Sequence, residues 1–527
     1  MREKGLRVVV LAMVMCLLLA TPLLATTGSQ FNAGGHQSTN VFKSSQYSAI
    51  PYEGPDVLIQ VGNSLPKFQF VPSASFPVVP DIRMGAGAYS SYTWFDLPGL
   101  ALSLINFIEF GTWRLDTCLE ENEGPIFWEY SNEEEFPEGY DKFIDGMNDN
   151  GVIVNYMLHF WDKAGHALGE ELLAPRFQTE EQIQDFLNYT RFVVSHYKGR
   201  VQYYTIWSEP DCCSDACGEG GIKCIWPQDY INLVRRTVPV IQEEDPHAKV
   251  AIAPVVLFFA QYYIKAVIES DIMTMVDVVQ WNGIFNVLPN DSFYGDYYYQ
   301  YPSIIEGIRE TAEAHGFDGE YWSCGISYGA EGNAPDQPWG CPQTDKQAAK
   351  YLSRTIVMHL GWDIGVAMNA WLPEFPAEIS PWLRPTASNL YKVFAGTKPI
   401  SFAFGIEDKP PNTMNNTFEL PNGDTLFTLW THGEAVDDDP GVSTTLTFPE
   451  FSTQRVIAID ALHGFEQELI IEVENGEVVI PDIFVMDYPI ILRFVNDSSM
   501  QAIALASGAA LVVVVLVIFL KRRQSLA

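Results

Sequence analysis

Positive charge is scarce in this 527-residue chain: 31 Lys and Arg stand against 66 Asp and Glu, a formal net charge of −35. So acidic an exterior repels polyanions, which excludes nucleic acid as a partner and suits a neutral ligand. Histidine is sparse as well, with nine residues, and none falls at ligand spacing beside the cysteine cluster CCSDAC…C at 212–224. That cluster also lacks the paired CxxC knuckles of a zinc ribbon, so neither a metal nor a cofactor is expected.

Long uncharged runs are confined to the two ends. Arg2, Lys4 and Arg7 precede an apolar stretch at 8–19 and then TPLLA, which reads as a signal peptide over 1–25 with cleavage near Ala25. At the other end 502–520 carries no charge and is about long enough to cross a ~30 Å hydrocarbon core. Lys521, Arg522 and Arg523 follow it at once. By the positive-inside rule 521–527 is a cytoplasmic tail, and the expectation is a single-pass cell-membrane protein with a large extracellular ectodomain. In that setting disulfides are the default for Cys118, Cys212, Cys213, Cys217, Cys224, Cys324 and Cys341. Their odd number leaves one thiol over, or one intermolecular bond.

Between the ends the texture changes twice, and no short internal repeat is visible. Residues 26–50 are rich in Ser, Gly, Asn, Gln and Thr, a flexible lead-in. Over 51–80 the alternation DVLIQVG…KFQF predicts one or more strands ahead of the main body. From 81 to 396 strand-like runs alternate with amphipathic helical ones, the pattern of parallel β/α architecture. Strands are expected near 82–87, 108–115, 151–160, 201–207, 249–255, 276–284, 320–326 and 365–372, and eight is the number that closes a (β/α)8 TIM barrel. Over 397–497 short alternating runs separated by NG, HG and DDDPG turns predict an antiparallel β-sandwich, to which the 51–80 strand is available. The fold class is therefore α/β: a barrel, then a small sandwich, then a transmembrane helix. Aromatic residues make up 13% of the chain, with 13 Trp, and such rings serve either flat carbohydrate sites or a large core.

Chemistry concentrates in YYTIWSEPD at 203–211, where a β-rich run ends in Glu209 and Pro210 stops the ladder. The peptide resembles the W-N-E-P signature of clan A glycoside hydrolases, with Ser208 in place of the usual Asn. LPNGDTLFTLWT (420–431) and AIDALHG (458–464) resemble the sandwich appended to such barrels near family 39. The resemblance implies that Glu209, ending strand four, is the general acid/base. A retaining glycosidase needs a second carboxyl about 5–5.5 Å away, which the family places at the end of strand seven. There its pattern W-x-T-E-x-G meets Trp322-Ser323-Cys324-Gly325-Ile326-Ser327, and Gly325 falls in the nucleophile slot. A shift by one brings in Cys324, as a thiolate or, more readily, as the partner of Cys341. Glu331 in the following loop is the nearest substitute nucleophile, with Glu374 after strand eight as another. The same resemblance implies sugar-contacting roles for Arg114, His159, Trp161, Ser208, Asn282 (where the family often has His) and Trp371, with Trp161, Trp207 and Trp371 lining the mouth.

Two functions fit these residues. One is a surface-anchored glycoside hydrolase acting on extracellular oligo- or polysaccharide. The other is a catalytically inactive glycan-binding barrel that lacks the strand-seven nucleophile. Both take carbohydrate as the ligand and the membrane as the anchor.

Overall fold

Eight parallel strands close on themselves: β1 Met84–Ala88, β2 Phe107–Phe110, β3 Ile153–Leu158, β4 Tyr203–Ile206, β5 Lys249–Ile252, β6 Val278–Asn282, β7 Glu320–Ile326 and β8 Gly365–Met368. The computed structural model describes residues 59–60, 68–69, 81–88, 107–110, 127–128, 138–159, 161–162, 176–211, 225–284, 286–326, 328, 343–368, 381–449, 451, 453, 455–474 and 476–496. Each barrel strand pairs with the next, and β8 returns to β1 through Val366 and Met84. The seam between β5 and β6 is the thinnest, one residue pair (Ala251 and Val278) supplemented by a bridge between Val256 and Asn282.

Among the described residues one α-helix follows each strand from β2 onward: α1 Glu138–Asp149, α2 Glu180–Tyr197, α3 Pro227–Glu244, α4 Leu257–Ile268, α5 Gly295–Ala314, α6 Asp345–Gly361 and α7 Leu383–Phe394. Their starts are written locally. Thr179 accepts from Gln182 N at 3.2 Å ahead of Glu180 and Glu181, α3 opens on Pro227, and Thr344 with Gln347 forms a capping box.

The barrel interior is filled in layers. Tyr203, Ala251, Val278, Trp322 and Ala367 pack together with Cys324. Across the strands runs a polar relay in which the Cys324 thiol donates to Gln280 Oε1 at 2.9 Å and Gln280 Nε2 donates to Thr205 Oγ1 at 2.9 Å. Thr205 Oγ1 in turn donates to Asn155 Oδ1 at 2.9 Å. The expected pairing of Cys324 with Cys341 is thereby corrected: Cys324 is a thiol directed into the sealed barrel interior, not half of a disulfide. No disulfide occurs among the described residues, and the other seven cysteines lie outside them.

Beyond α7 two antiparallel sheets face each other. The larger has the order Phe68–Gln69, Phe465–Glu468, Val456–Asp460, Ile490–Phe494, Thr425–Thr431, Thr413–Glu419, Lys398–Pro399. The smaller has Gly405–Ile406, Val442–Phe448, Glu477–Val485, Glu472–Glu474. Phe427, Phe448 and Phe494 stack edge-on between them, with Phe427–Phe448 at 5.1 Å and Phe448–Phe494 at 4.7 Å. The segment ahead of the barrel enters both sheets. Phe68 and Gln69 extend the larger one, while Gln60 bridges Ile483 and exchanges side-chain bonds with the backbone of Ile470.

Helix α6 joins barrel and sheets and is buried on all sides, including Lys350 and Arg354. Lys350 pairs with Asp487 at 2.7 Å, and Arg354 donates to Asp487 O at 2.6 Å and Gly433 O at 2.5 Å. At its end Gly361 meets Asn416, whose side chain takes up the place where a Cβ would stand. No helix among the described residues is long and apolar enough to cross a membrane, and the expected leader 1–25 and anchor 502–520 lie outside those residues.

Candidate active site

The C-terminal ends of β4, β6 and β7 bring three expected positions together. Past β4 the backbone leaves the ladder through two left-handed residues, Trp207 (φ +72°) and Glu209 (φ +40°). Side chains other than glycine avoid this region at a cost of about 1–3 kcal/mol each. The surroundings hold it in place: Trp207 N donates to Leu158 O at 3.0 Å and Glu209 N to Pro254 O at 3.2 Å. The consequence for Trp207 is burial, at 1% exposure, against His159 (4.3 Å), Phe177 (5.1 Å) and Phe186 (5.9 Å). Trp207 therefore does not line the mouth; its ring is buried among His159, Phe177 and Phe186. Ser208 and Glu209 are each partly exposed.

Across the mouth Asn282 Nδ2 donates to Glu209 Oε1 at 2.5 Å. Asn282 Oδ1 has no hydrogen-bond partner and points at strand seven. There the pairing of β7 with β8 slips between Ser323 and Ile326, and Gly325 adopts φ +60°. A Cβ built on Gly325 would stand 2.8 Å from Asn282 Oδ1 and 3.1 Å from its Cγ. The space a strand-seven side chain would enter is thus occupied by the amide that holds Glu209. This coupling was not visible in sequence, since it depends on a bulge and on the neighbouring strand.

His159 sits under the site at 3% exposure, and burial pushes its imidazole down to about 3, so the ring is neutral and packs on Trp207. Sequence reading passed over Asp211, the last letter of the motif. It is 3% exposed, its Oδ2 accepts from Val256 N at 3.0 Å, and its Oδ1 has no hydrogen-bond partner. Burial pushes its carboxyl up to about 6. Trp161 belongs to a two-residue strand paired in parallel with Phe127–Trp128. Arg114, Glu331, Trp371 and Glu374 lie outside the described residues.

Tyrosines from the surrounding helices tie down the strand ends. Tyr189 OH donates to His159 O (2.8 Å), Tyr230 OH to Ile206 O (2.9 Å) and Tyr297 OH to Gly283 O (2.6 Å). Tyr230 also accepts from Ala253 N at 2.5 Å, linking the ends of β4 and β5. Such struts satisfy carbonyls that the ladder leaves over where the strands stop.

Chemically the described site offers the Glu209 carboxylate, bonded by the Asn282 amide and able to accept a hydroxyl hydrogen bond or donate a proton. Among the described residues no group of three or more His, Cys, Asp or Glu is placed to hold a metal ion.

No protein-family model matches the chain, and no curated protein matches it by sequence. Solved structures do match. A family 39 glycoside hydrolase from the gut symbiont Bacteroides cellulosilyticus aligns with a TM-score of 0.51 at 13% identity, covering 79% of this chain and 81% of that one. A Paenibacillus polymyxa xyloglucanase from glycoside hydrolase family 44 gives 0.47 at 12% identity, over 80% and 97% of the two chains. An endoglucanase of the same family from Clostridium thermocellum gives 0.47 at 11%, over 80% and 98%. At such identity the first likeness shows the fold alone, and the fold is that of a TIM-barrel glycoside hydrolase.

Proposed function

We propose that the protein engages carbohydrate at the barrel mouth around Glu209, and that it does so as a glycan-binding barrel without the retaining double displacement of enzymes that share its fold. The observation that carries this reading is the position of Asn282. Its amide holds Glu209 at 2.5 Å, and its oxygen stands where a nucleophile's Cβ would project from Gly325. A double displacement requires a second carboxyl about 5–5.5 Å from the first, and restoring one at 325 would displace the amide. The net charge of −35 favours a neutral glycan. On the sequence alone, the 502–520 run would tether this barrel to the outer face of a cell membrane.

A second reading has an observation of its own. The left-handed backbone at Glu209 is strain of the kind that gathers at working sites. Under it Glu209 is the general acid of an inverting hydrolase, and Glu331 or Glu374 activates water from about 6.5–9.5 Å away.

Both readings meet in one experiment: a glycan array and a reducing-sugar assay on a polysaccharide panel, with wild type, Glu209→Ala and Glu209→Gln. Glycan retained by the wild type, weakened about tenfold or more in Glu209→Ala, with no sugar released, is the expected result. Release of sugar that collapses in Glu209→Gln would replace the binding reading with the hydrolytic one.

A further inference from the structure

On the rim of the barrel beside Glu209, aromatic rings lie on the outside. Phe293 is 88% exposed, Tyr262 59% and Phe259 38%. Phe259 and Phe293 belong to one continuous row. Phe259 packs edge-on against Phe258 at 4.9 Å, Phe258 against Tyr294 at 5.0 Å, and Tyr294 neighbours Phe293 at 6.5 Å. Tyr262 follows Phe259 on α4, beyond a break at Ala260.

The row is built rather than frayed. Asp291 Oδ1 accepts from Phe293 N at 2.7 Å and from Tyr294 N at 3.0 Å, fixing the turn that presents Phe293. Ala260, with φ −120° and ψ 33°, breaks α4 after its first residues and sets Phe258 and Phe259 at an angle to the rest. The row is also anchored to the site. Just ahead of these rings, the link from β5 takes Glu209 N on Pro254 O at 3.2 Å and Asn282 N on Val255 O at 2.8 Å, and Asp211 accepts from Val256 N at 3.0 Å. Phe259 stands three residues after the Val256–Asn282 bridge, about 5 Å along the start of α4.

We infer that this row is an extended platform for a neutral polysaccharide chain that runs on from the mouth at Glu209, with sugar rings laid on Phe259 and Phe293. The inference rests on the carbohydrate reading above and narrows its ligand from short sugars to polymers. Flat rings offer the apolar faces of pyranosides a surface without demanding a particular hydroxyl pattern. Charge decides against anionic occupants. Asp291, Asp296 and Glu434 flank the row, Asn290 Nδ2 is bonded to Glu434 Oε1 at 2.8 Å, and the net charge is −35. An anionic glycan or anionic lipid surface meets repulsion there.

The test compares full-length wild type, Phe259→Ala/Phe293→Ala and Glu209→Ala by affinity electrophoresis in hydroxyethylcellulose, xylan and xyloglucan. Calorimetry follows with the matching di- and trisaccharides. Both phenylalanines are on the surface, so the double variant is expected to melt with the wild type. The inference expects polymer retention to fall about tenfold in the double variant while short-sugar affinity is unchanged. Glu209→Ala should weaken both. Polymer retention unchanged in the double variant, or lost in equal measure with the short sugar, overturns the platform and leaves the mouth reading standing. Wild type that binds no carbohydrate overturns both. Phe293-dependent sedimentation with phosphatidylcholine vesicles, or Phe293-dependent self-association, overturns the platform in favour of a membrane or a second copy.

Discussion

The Asn282 amide does two things at once: it bonds Glu209 and fills the ground above Gly325. Gly325→Ala therefore meets two costs, the left-handed φ at about 1–2 kcal/mol and a clash with Asn282 Oδ1. Urea unfolding should show that loss, and Asn282→Ala in the same chain should return the steric part. The four proteins of that cycle are expected to couple with a sign that favours the double variant. Strict additivity would mean that Asn282 does not occupy the slot. The place of Glu209 just past the end of β4 was legible in sequence because its motif is local: a strand, a Trp, an acid and a Pro. Asn282 was marked only as a departure from a pattern, and its hold on Glu209 was not legible. Two strands and a bulge had to be superposed before those atoms met.

The strand windows at 82–87, 108–115, 151–160, 201–207, 249–255, 276–284, 320–326 and 365–372 each contain or overlap the barrel strand observed there. Buried β/α periodicity survives translation into sequence well, whereas strand ends do not, because tertiary partners decide where pairing stops. At the mouth those partners are tyrosines. The abundance of aromatic residues was readable as ligand faces or as core; part of it serves as struts. Tyr230→Phe is expected to cost about 1–3 kcal/mol by leaving Ile206 O and Ala253 N without their hydroxyl, and to weaken glycan retention by loosening the turn behind Glu209. Thermal melts and array signals measured on the same sample check both halves. Tyr297→Phe, which removes the strut to Gly283 O, should also lower stability while leaving the Glu209 turn alone.

For the molecule as a whole the buried histidines set the acid limit. Burial pushes His159 and His432 down to about 3 and His359 to about 4. His359 is held neutral by burial, although its Nδ1–H donates to Thr355 O, a bond that by itself favours the charged ring, and its Nε2 accepts from Tyr301 OH. Because the unfolded chain takes up these protons first, near pH 6.5, stability is complete above that value. It falls as the pH drops toward 4 and 3, by on the order of 1.4 kcal/mol per unit for each ring. Asp211 works in the opposite sense. Its folded carboxyl keeps a proton up to about 6, so it returns some stability below that pH. Urea midpoints at pH 7.5, 6 and 5 should therefore decline, and a flat or rising series would contradict the assignment. Asp487→Asn should cost about 3–5 kcal/mol, since it leaves Lys350 buried and unpaired.

The burial of α6 on every side has a consequence for how the chain is made. Its inner face rests on the barrel, but the strands Thr413–Glu419 and Thr425–Thr431 and the Asp487 carboxylate leave the ribosome only later, at about 5–20 residues per second. For several seconds the nascent barrel carries an open flank with two cations waiting for their anion. A chain interrupted near 396 stays in that state permanently. The barrel and the sheets are therefore not interchangeable modules to be traded between genes, but one cooperative unit whose quality control rests on its last-made quarter.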